Sequence, residues 1–191
     1  ALIPYGTNND WARQWVLYKS KRKLSDRFYD CHRVPIDLGC LTYYVDGEER
    51  KRYFINGMGV GFDAQVCQVT DRMKRIYGGH SWVYTLSLFV AVFKWKPTKM
   101  QLIYDDEAIE DDVFTIAVGN GCYSGGGLKQ VPADPTDGLF HTNMIPRPTF
   151  KIILTALGYL FRGELWNHPA CTMKTTKRFK IKNRQSFLVE T

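Results

Sequence analysis

Four short clusters in this 191-residue chain set carboxylate or amide side chains beside glycines, a combination that lets a polar ligand approach the backbone. In the first, Gly6-Thr7 stands ahead of Asn9-Asp10 and a helical pattern. Backbone N–H groups and a hydroxyl there can meet a phosphate, with a carboxylate placed to orient Mg²⁺; the same letters also suit a plain helix cap. In the second, Asn56 and Asp63 flank Gly57, Gly59 and Gly61, and suit either a substrate cleft or a turn. In the third, Asn120-Gly121 precedes Gly125-Gly126-Gly127, three glycines that would let a substrate lie close to the backbone, or form a flexible surface loop. The fourth runs Asp134-Pro135-Thr136-Asp137-Gly138-Leu139. By its letters it reads as a type I turn with Asp at its corner.

Other chemistries have less support. His32, His80, His141 and His168 are not spaced for a metal or a triad, and no G-x-S-x-G accompanies them. The five cysteines are odd in number, widely spaced and form no C-x-x-C pair, which argues against a disulfide framework or zinc cluster and fits a reducing cytosol. The formal charge of +7 favours an anionic partner. It is concentrated in Lys19 to Lys23 and in Lys174 to Arg184, the second alternating basic and apolar residues like a strand with one basic face. The most apolar run, Trp82 to Phe93, is too short to cross a bilayer, and the amino terminus lacks the pattern of a signal peptide.

Positioning these clusters requires a mainly β fold with helices. A helix is expected from Trp11 to about Tyr18, capped by Asn9 or Asp10. Short strands follow at Ile36 to Leu41, Thr42 to Val45 and Arg50 to Asn56, the last two joined through Asp46-Gly47. Gly57, Gly59 and Gly61 then break regularity before a helix from Asp63 to about Arg75. A second helix, Ser81 to Lys94, is apolar nearly all round, as for a buried or partnered element. Met100 to Tyr104 and Val113 to Val118 pair across the acidic stretch Asp105 to Asp112; the second does not alternate and reads as covered on both faces. A strand at Leu139 to Ile145, a helix at Phe150 to Phe161 and strands near Ala170 to Lys174, Phe179 to Lys182 and Phe187 to Glu190 complete an α+β chain built on a β-sandwich.

Read together, the four clusters resemble one family in order and spacing. Gly6-Thr7-Asn8-Asn9-Asp10-Trp11-Ala12-Arg13 is similar to the G-T-x-N-D-x-A-R element of diacylglycerol, sphingosine and ceramide kinases. Phe54 to Ala64 is similar to F-x-N-x-x-x-x-G-x-D-A, and Asn120-Gly121 with Gly125 to Gly127 follows. Pro132 to Leu139 is close to P-x-A-x-x-D-G, with Ala133 one place early. Asp46-Gly47-Glu48 repeats the letters of a family element on the wrong strand, where a hairpin turn accounts for it.

The resemblance implies a diacylglycerol kinase-like enzyme that moves the γ-phosphoryl of ATP to a lipid hydroxyl. Residues 1–33 would end a nucleotide-binding domain, and residues 34–191 would form the β-sandwich C-terminal domain. ATP would meet Gly6, Thr7, Asn9 and Asp10. Asn56, Asp63, Gly125, Gly126 and Gly127 would line the substrate cleft. A structural Mg²⁺ would be held by Asp137 with the carbonyls of Asp134 and Leu139. The helix Ser81 to Lys94 would wall the lipid side. The partners implied are a lipid substrate and, peripherally from the cytoplasm, an anionic membrane surface; an oligomer is allowed and nucleic acid is not expected. A G-G-D-G-T phosphate loop does not occur in the chain, and the family's general base is expected beyond Thr191, so these residues alone are expected to be inactive. The alternatives are a soluble kinase related to NAD kinase, and a lipid-binding module without catalysis.

Overall fold

The computed structural model describes residues 2–5, 9–15, 33–78, 80–183 and 187–191. Gly6, Thr7 and the basic run Lys19 to Lys23 lie outside them. The first described helix, α1, is Asp10–Gln14, shorter than the pattern suggested over its described part. A free-standing hairpin follows, β1 (Gly39–Val45) and β2 (Glu48–Phe54), paired from Gly39 opposite Phe54 to Val45 opposite Glu48. Asp46 and Gly47 take positive φ at its turn, as a two-residue hairpin requires. The two separate strands expected between Ile36 and Val45 are therefore one strand, with Ile36 outside it.

The glycine-rich segment expected to be irregular is instead a strand, β3 (Gly57–Gly61), inside the main sheet. Missing side chains let it lie close to its neighbours: a Cβ on Gly59 would sit 2.6 Å from Cβ of Asp63. Helices α2 (Phe62–Tyr77) and α3 (Ser81–Lys94) come next. Then come β4 (Thr98–Tyr104) and β5 (Glu107–Gly119), joined by Asp105-Asp106 alone. The acidic residues 107–112 are thus strand, not loop; Lys99 pairs with Glu110 and Lys174 with Glu107. Two short strands, β6 (Tyr123–Ser124) and β7 (Leu128–Lys129), pair around the three glycines. The chain continues through β8 (Phe140–Pro146), α4 (Phe150–Arg162), β9 (Thr172–Thr176), β10 (Phe179–Lys182) and β11 (Val189–Glu190).

β5 is the spine of an antiparallel sheet. Its first half pairs with β4, and its second half lies between β3 and β8; β4 leads on to β10, β3 to β11 and β8 to β9. A bulge between Val113 and Thr115 resets the alternation. Val113 and Ile116, three residues apart, therefore share one core with Val60, Met100, Leu102, Val118 and Met144. Phe114 points the other way, into a second core formed with Phe62 and Val66 of α2, Leu88 and Ala91 of α3, and Ala156 and Leu160 of α4. The unalternating apolar run of β5 is thus covered on both faces, as expected. α4 starts on a Thr149 side-chain cap to the N–H of Ile152 and ends on Gly163 in the left-handed conformation.

Over its described residues, 174–183, the run Lys174 to Arg184 is not one basic-faced strand. In β10 the alternation holds, with Phe179 and Ile181 against the sandwich core and Lys180 and Lys182 exposed. Lys174, in β9, instead lies over the Tyr104 ring and pairs with Glu107, so its charge belongs to the fold.

Candidate functional site

Three of the four clusters meet in one cleft. It is bounded by the α1 start, β3, α2, the β5 end and the β6–β7 glycine turn, and its lining includes Asp10, Asn56, Asp63, Tyr84, Gly125 and Glu190. The position of Asp10 corrects the expected helix cap. The residue before α1, Asn9, sits in a left-handed conformation and makes no side-chain cap bond. The Asp10 carboxylate instead accepts a hydrogen bond from the Gly126 N–H at 3.1 Å and faces Arg13 at 3.8 Å. Arg13 in turn covers Gly127, where a Cβ would meet the guanidinium carbon at 2.6 Å and where φ is +92°. Only glycine combines that conformation with that approach. The glycine turn is therefore gripped by an Asp-Arg pair and is not a loose loop.

Asn56 ties the cleft floor together. Its Nδ2 donates to the carbonyl of Tyr123, and its own carbonyl accepts from the N–H groups of Asn120 and Gly121. Its Oδ1 is buried, packs against Gly121 and has no hydrogen-bond partner among the described residues. Asn120, 1% exposed, donates from its amide to the carbonyls of Asp37 and Ile55.

Asp63 is half-buried at the head of α2. Desolvation, then the nearby Glu190 carboxylate, pushes its pKa from 3.8 up to about 7, against a hydrogen bond from the Gln130 side chain. The Glu190 carboxyl, on the exposed strand β11, is raised too, chiefly by partial desolvation against the cleft wall. Tyr84 is held well above the usual phenol range by burial and then by Asp63, and its hydroxyl occupies the space a side chain on Gly125 would need. Two acids, a phenol and an amide thus share one partly desolvated wall, arranged to exchange hydrogen bonds with a hydroxyl-bearing ligand. Tyr84, Gln130 and Glu190 were not expected from the sequence. Tyr84 carried a usable signal, because it precedes Leu88 and Val92 by one and two helical turns on the inward stripe of α3.

The fourth cluster is elsewhere. The cleft lining does not include Asp134, Asp137 or Leu139. Their loop is closed locally: Asp137 Oδ1 accepts from the Leu139 N–H at 2.9 Å, Asp137 Oδ2 pairs with His141 Nε2 at 2.8 Å, and Asp134 Oδ1 accepts from the Thr136 N–H and hydroxyl. Asp37, another residue sequence reasoning passed over, links this loop to the cleft floor. Its Oδ2 accepts from the Gly138 N–H at 2.7 Å, its N–H donates to the Pro135 carbonyl, and its carbonyl accepts from Asn120. Among the described residues no three His, Cys, Asp or Glu side chains cluster to hold a metal. The set expected for Mg²⁺ needs only one carboxylate with backbone carbonyls, and each Asp137 oxygen keeps a lone pair after the bonds named here. This all-oxygen donor set fits a hydrated hard cation.

Behind the polar wall lies an apolar cavity between the sheet and the helices. Asp63, Tyr84, Ala117 and Gln130 line both spaces, and beyond them the cavity is walled by Leu88 and Val92 of α3, Phe114 and Ile145 of the sheet, and Ile153 and Leu157 of α4. A polar cleft and an apolar cavity therefore meet at Asp63 and Tyr84. No described helix is long and apolar enough to cross a membrane.

Known proteins share this arrangement of chain. A diacylglycerol kinase of Mycobacterium tuberculosis is 29% identical over 165 residues, covering 85% of this chain and 52% of the relative. A probable lipid kinase YegS-like protein of Chromohalobacter salexigens is 31% identical over 140 residues, covering 72% of this chain and 42% of the relative. The chain thus spans about half the length of these relatives. A solved structure of a candidate diacylglycerol kinase from Bacillus anthracis superposes with a TM-score of 0.74 at 23% identity, covering 100% of this chain and 61% of that one, which shows the fold. Residues 56–191, from the cleft floor to the end of the chain, match the family model for the YegS C-terminal NAD kinase β sandwich-like domain, and the chain belongs to that family.

Proposed function

We propose that this chain forms the acceptor side of an ATP-dependent lipid kinase, with the lipid hydroxyl at Asp63 and the acyl chain leading into the apolar cavity, whose free space of about 60 Å³ must widen to take it. The observation that carries this reading is the junction of the polar cleft and the apolar cavity at Asp63, Tyr84 and Gln130. A lipid that bears a reactive hydroxyl on a hydrocarbon tail has that same division of polarity. A soluble dinucleotide acceptor, as in a kinase of the NAD kinase type, would gain little from an aliphatic cavity.

In this reading Asp63, with its pKa near neutral, both accepts from and donates to the acceptor hydroxyl, and Tyr84 closes the wall behind it. Asp10, Asp63 and Glu190 make the cleft acidic, so it repels bare phosphate; ATP would enter as its Mg²⁺ complex from the side of Gly6, Thr7, Asn9 and Asp10. That ion supplies charge neutralisation of the transferring phosphoryl group when bound. A second Mg²⁺, held by Asp137 with the carbonyls of Asp134 and Leu139, would brace the outer loop and, through Asp37, the cleft floor.

A G-G-D-G-T loop is missing from these 191 residues. Positioning of the reacting groups is worth about 7–11 kcal/mol of barrier, so the chain by itself should not turn over ATP. The test is a lipid panel with labelled ATP, run on the full-length kinase and on this chain. Label in a lipid product from the full-length protein alone supports the reading. Label in a soluble dinucleotide, or in no acceptor at all, overturns it.

A further inference from the structure

We infer that the tip of the α2–α3 helix pair is a docking surface for an anionic lipid bilayer. This inference rests on the lipid-kinase reading and adds the face through which the protein meets its substrate. The end of α2 exposes Ile76 and Tyr77, and the start of α3 exposes Trp82, Leu86 and Phe89, with relative exposures of 41–74%. Trp82, Leu86 and Phe89 recur at the spacing of one helical stripe, and the Tyr77 and Trp82 rings touch with centroids 5.9 Å apart. The five side chains therefore belong to one surface, unlike the scattered apolar residues that a soluble surface normally carries.

Charge selects the occupant. From Arg72 to Phe93, the stretch that holds the tip, the chain contains Arg72, Lys74 and Arg75 and no Asp or Glu. Arg72, Lys74 and Arg75 are exposed in the last turns of α2, beside the apolar tip. An apolar tip with a cationic fringe matches a bilayer whose hydrocarbon is bordered by anionic headgroups. A second copy of this chain would bring the same cations into mutual repulsion. The inner face of α3 lines the apolar cavity through Leu88 and Val92. Docking by its outer face therefore places the cavity wall at the bilayer, where the acceptor lipid resides.

The experiment is sedimentation of the 191-residue chain with vesicles of phosphatidylcholine alone and of phosphatidylcholine mixed with phosphatidylglycerol, alongside its elution volume in gel filtration. The wild type should bind the anionic vesicles, and binding should fall as salt rises. Leu86→Ser with Phe89→Ser should weaken binding by roughly tenfold or more, as should Arg72→Gln with Lys74→Gln and Arg75→Gln. The two sets act on different terms, and neither touches the buried cores. Equal binding to both vesicle types, or wild-type binding by both variants, overturns the proposal. So does a wild-type dimer that becomes monomeric in Leu86→Ser with Phe89→Ser while vesicle binding is unchanged, which would make the tip a contact between copies. Phosphorylation of detergent-dispersed lipid by the full-length kinase separates the two claims. If it persists when vesicle binding fails, only the docking surface is wrong. If no lipid is phosphorylated while docking stands, the kinase reading is wrong.

Discussion

The Asp10 carboxylate accepts a hydrogen bond from the Gly126 N–H at 3.1 Å, joining two segments 116 residues apart in the chain. Through this bond the Asn-Asp segment and the glycine turn become one edge of one cleft. Asp10→Ala should release the turn and leave Arg13 without its carboxylate. A charge-assisted bond of this kind contributes about 1.5–3 kcal/mol, so a fall in melting temperature, with faster amide exchange at Gly126, is the expected result.

The glycine turn itself is sensitive to any side chain. Gly127→Ala forces a Cβ to within 2.6 Å of the Arg13 guanidinium carbon at a φ of +92°. The cost should be about 1–3 kcal/mol, read by chemical denaturation. Gly138→Ala, at a positive φ but with open space around it, should pay only for conformation and lose about 1 kcal/mol.

Asp63 gives the protein a pH signature. Its pKa is raised from 3.8 to about 7, so the folded state binds this proton more tightly than the unfolded chain does. Between those pH values the native state holds the extra proton and stability declines as pH rises; above about 7 the loss is complete. Asp63→Asn should remove that slope. It should be close to neutral at pH 4 and stabilising at pH 8 by on the order of 2–4 kcal/mol, while lowering lipid phosphorylation by the full-length kinase. Denaturation curves at the two pH values check the sign.

The loop at Asp137 separates a metal ion from a hydrogen-bonded turn. Asp137→Asn loses part of its pairing with His141 and should cost about 1 kcal/mol whether or not a metal binds. The Mg²⁺ proposal adds a further requirement: EDTA should lower the melting temperature of the wild type and leave that of Asp137→Asn unchanged. Equal melting curves with and without EDTA for the wild type would leave only the turn.

Much of this was legible in the sequence, for identifiable reasons. The unalternating apolar run of β5 announced a strand covered on both faces, and Asp46-Gly47 announced its hairpin, because both signals are local. The β3 strand was hidden. Gly57, Gly59 and Gly61 read as breakers, and only the approach of Asp63 and of β5 explains why side chains are excluded there. Asp10 read as a helix cap because its true partner, Gly126, is distant in sequence. Asn56, Asp63 and Gly125 of the glycine turn stand out by their letters, and the fold sets them along one cleft. Gln130 and Glu190 are not legible because each sits in an ordinary-looking loop or strand and gains its place only from tertiary packing, whereas Tyr84 is marked by the inward stripe it shares with Leu88 and Val92.

The central claim, that the apolar cavity holds the acceptor's hydrocarbon, is tested most directly by filling it. Ala156 is 6% exposed and faces that space from α4. The measurement is transfer of label from ATP to long-chain diacylglycerol by the full-length kinase, wild type against Ala156→Phe, with melting curves and ATP binding followed in parallel. The account predicts that Ala156→Phe loses about 1–3 kcal/mol of stability by overfilling a core position, still folds and binds ATP, and phosphorylates the long-chain lipid at least about tenfold more slowly, since a blocked subsite forfeits the binding energy used for positioning. Equal rates for the two proteins on the long-chain lipid would contradict it.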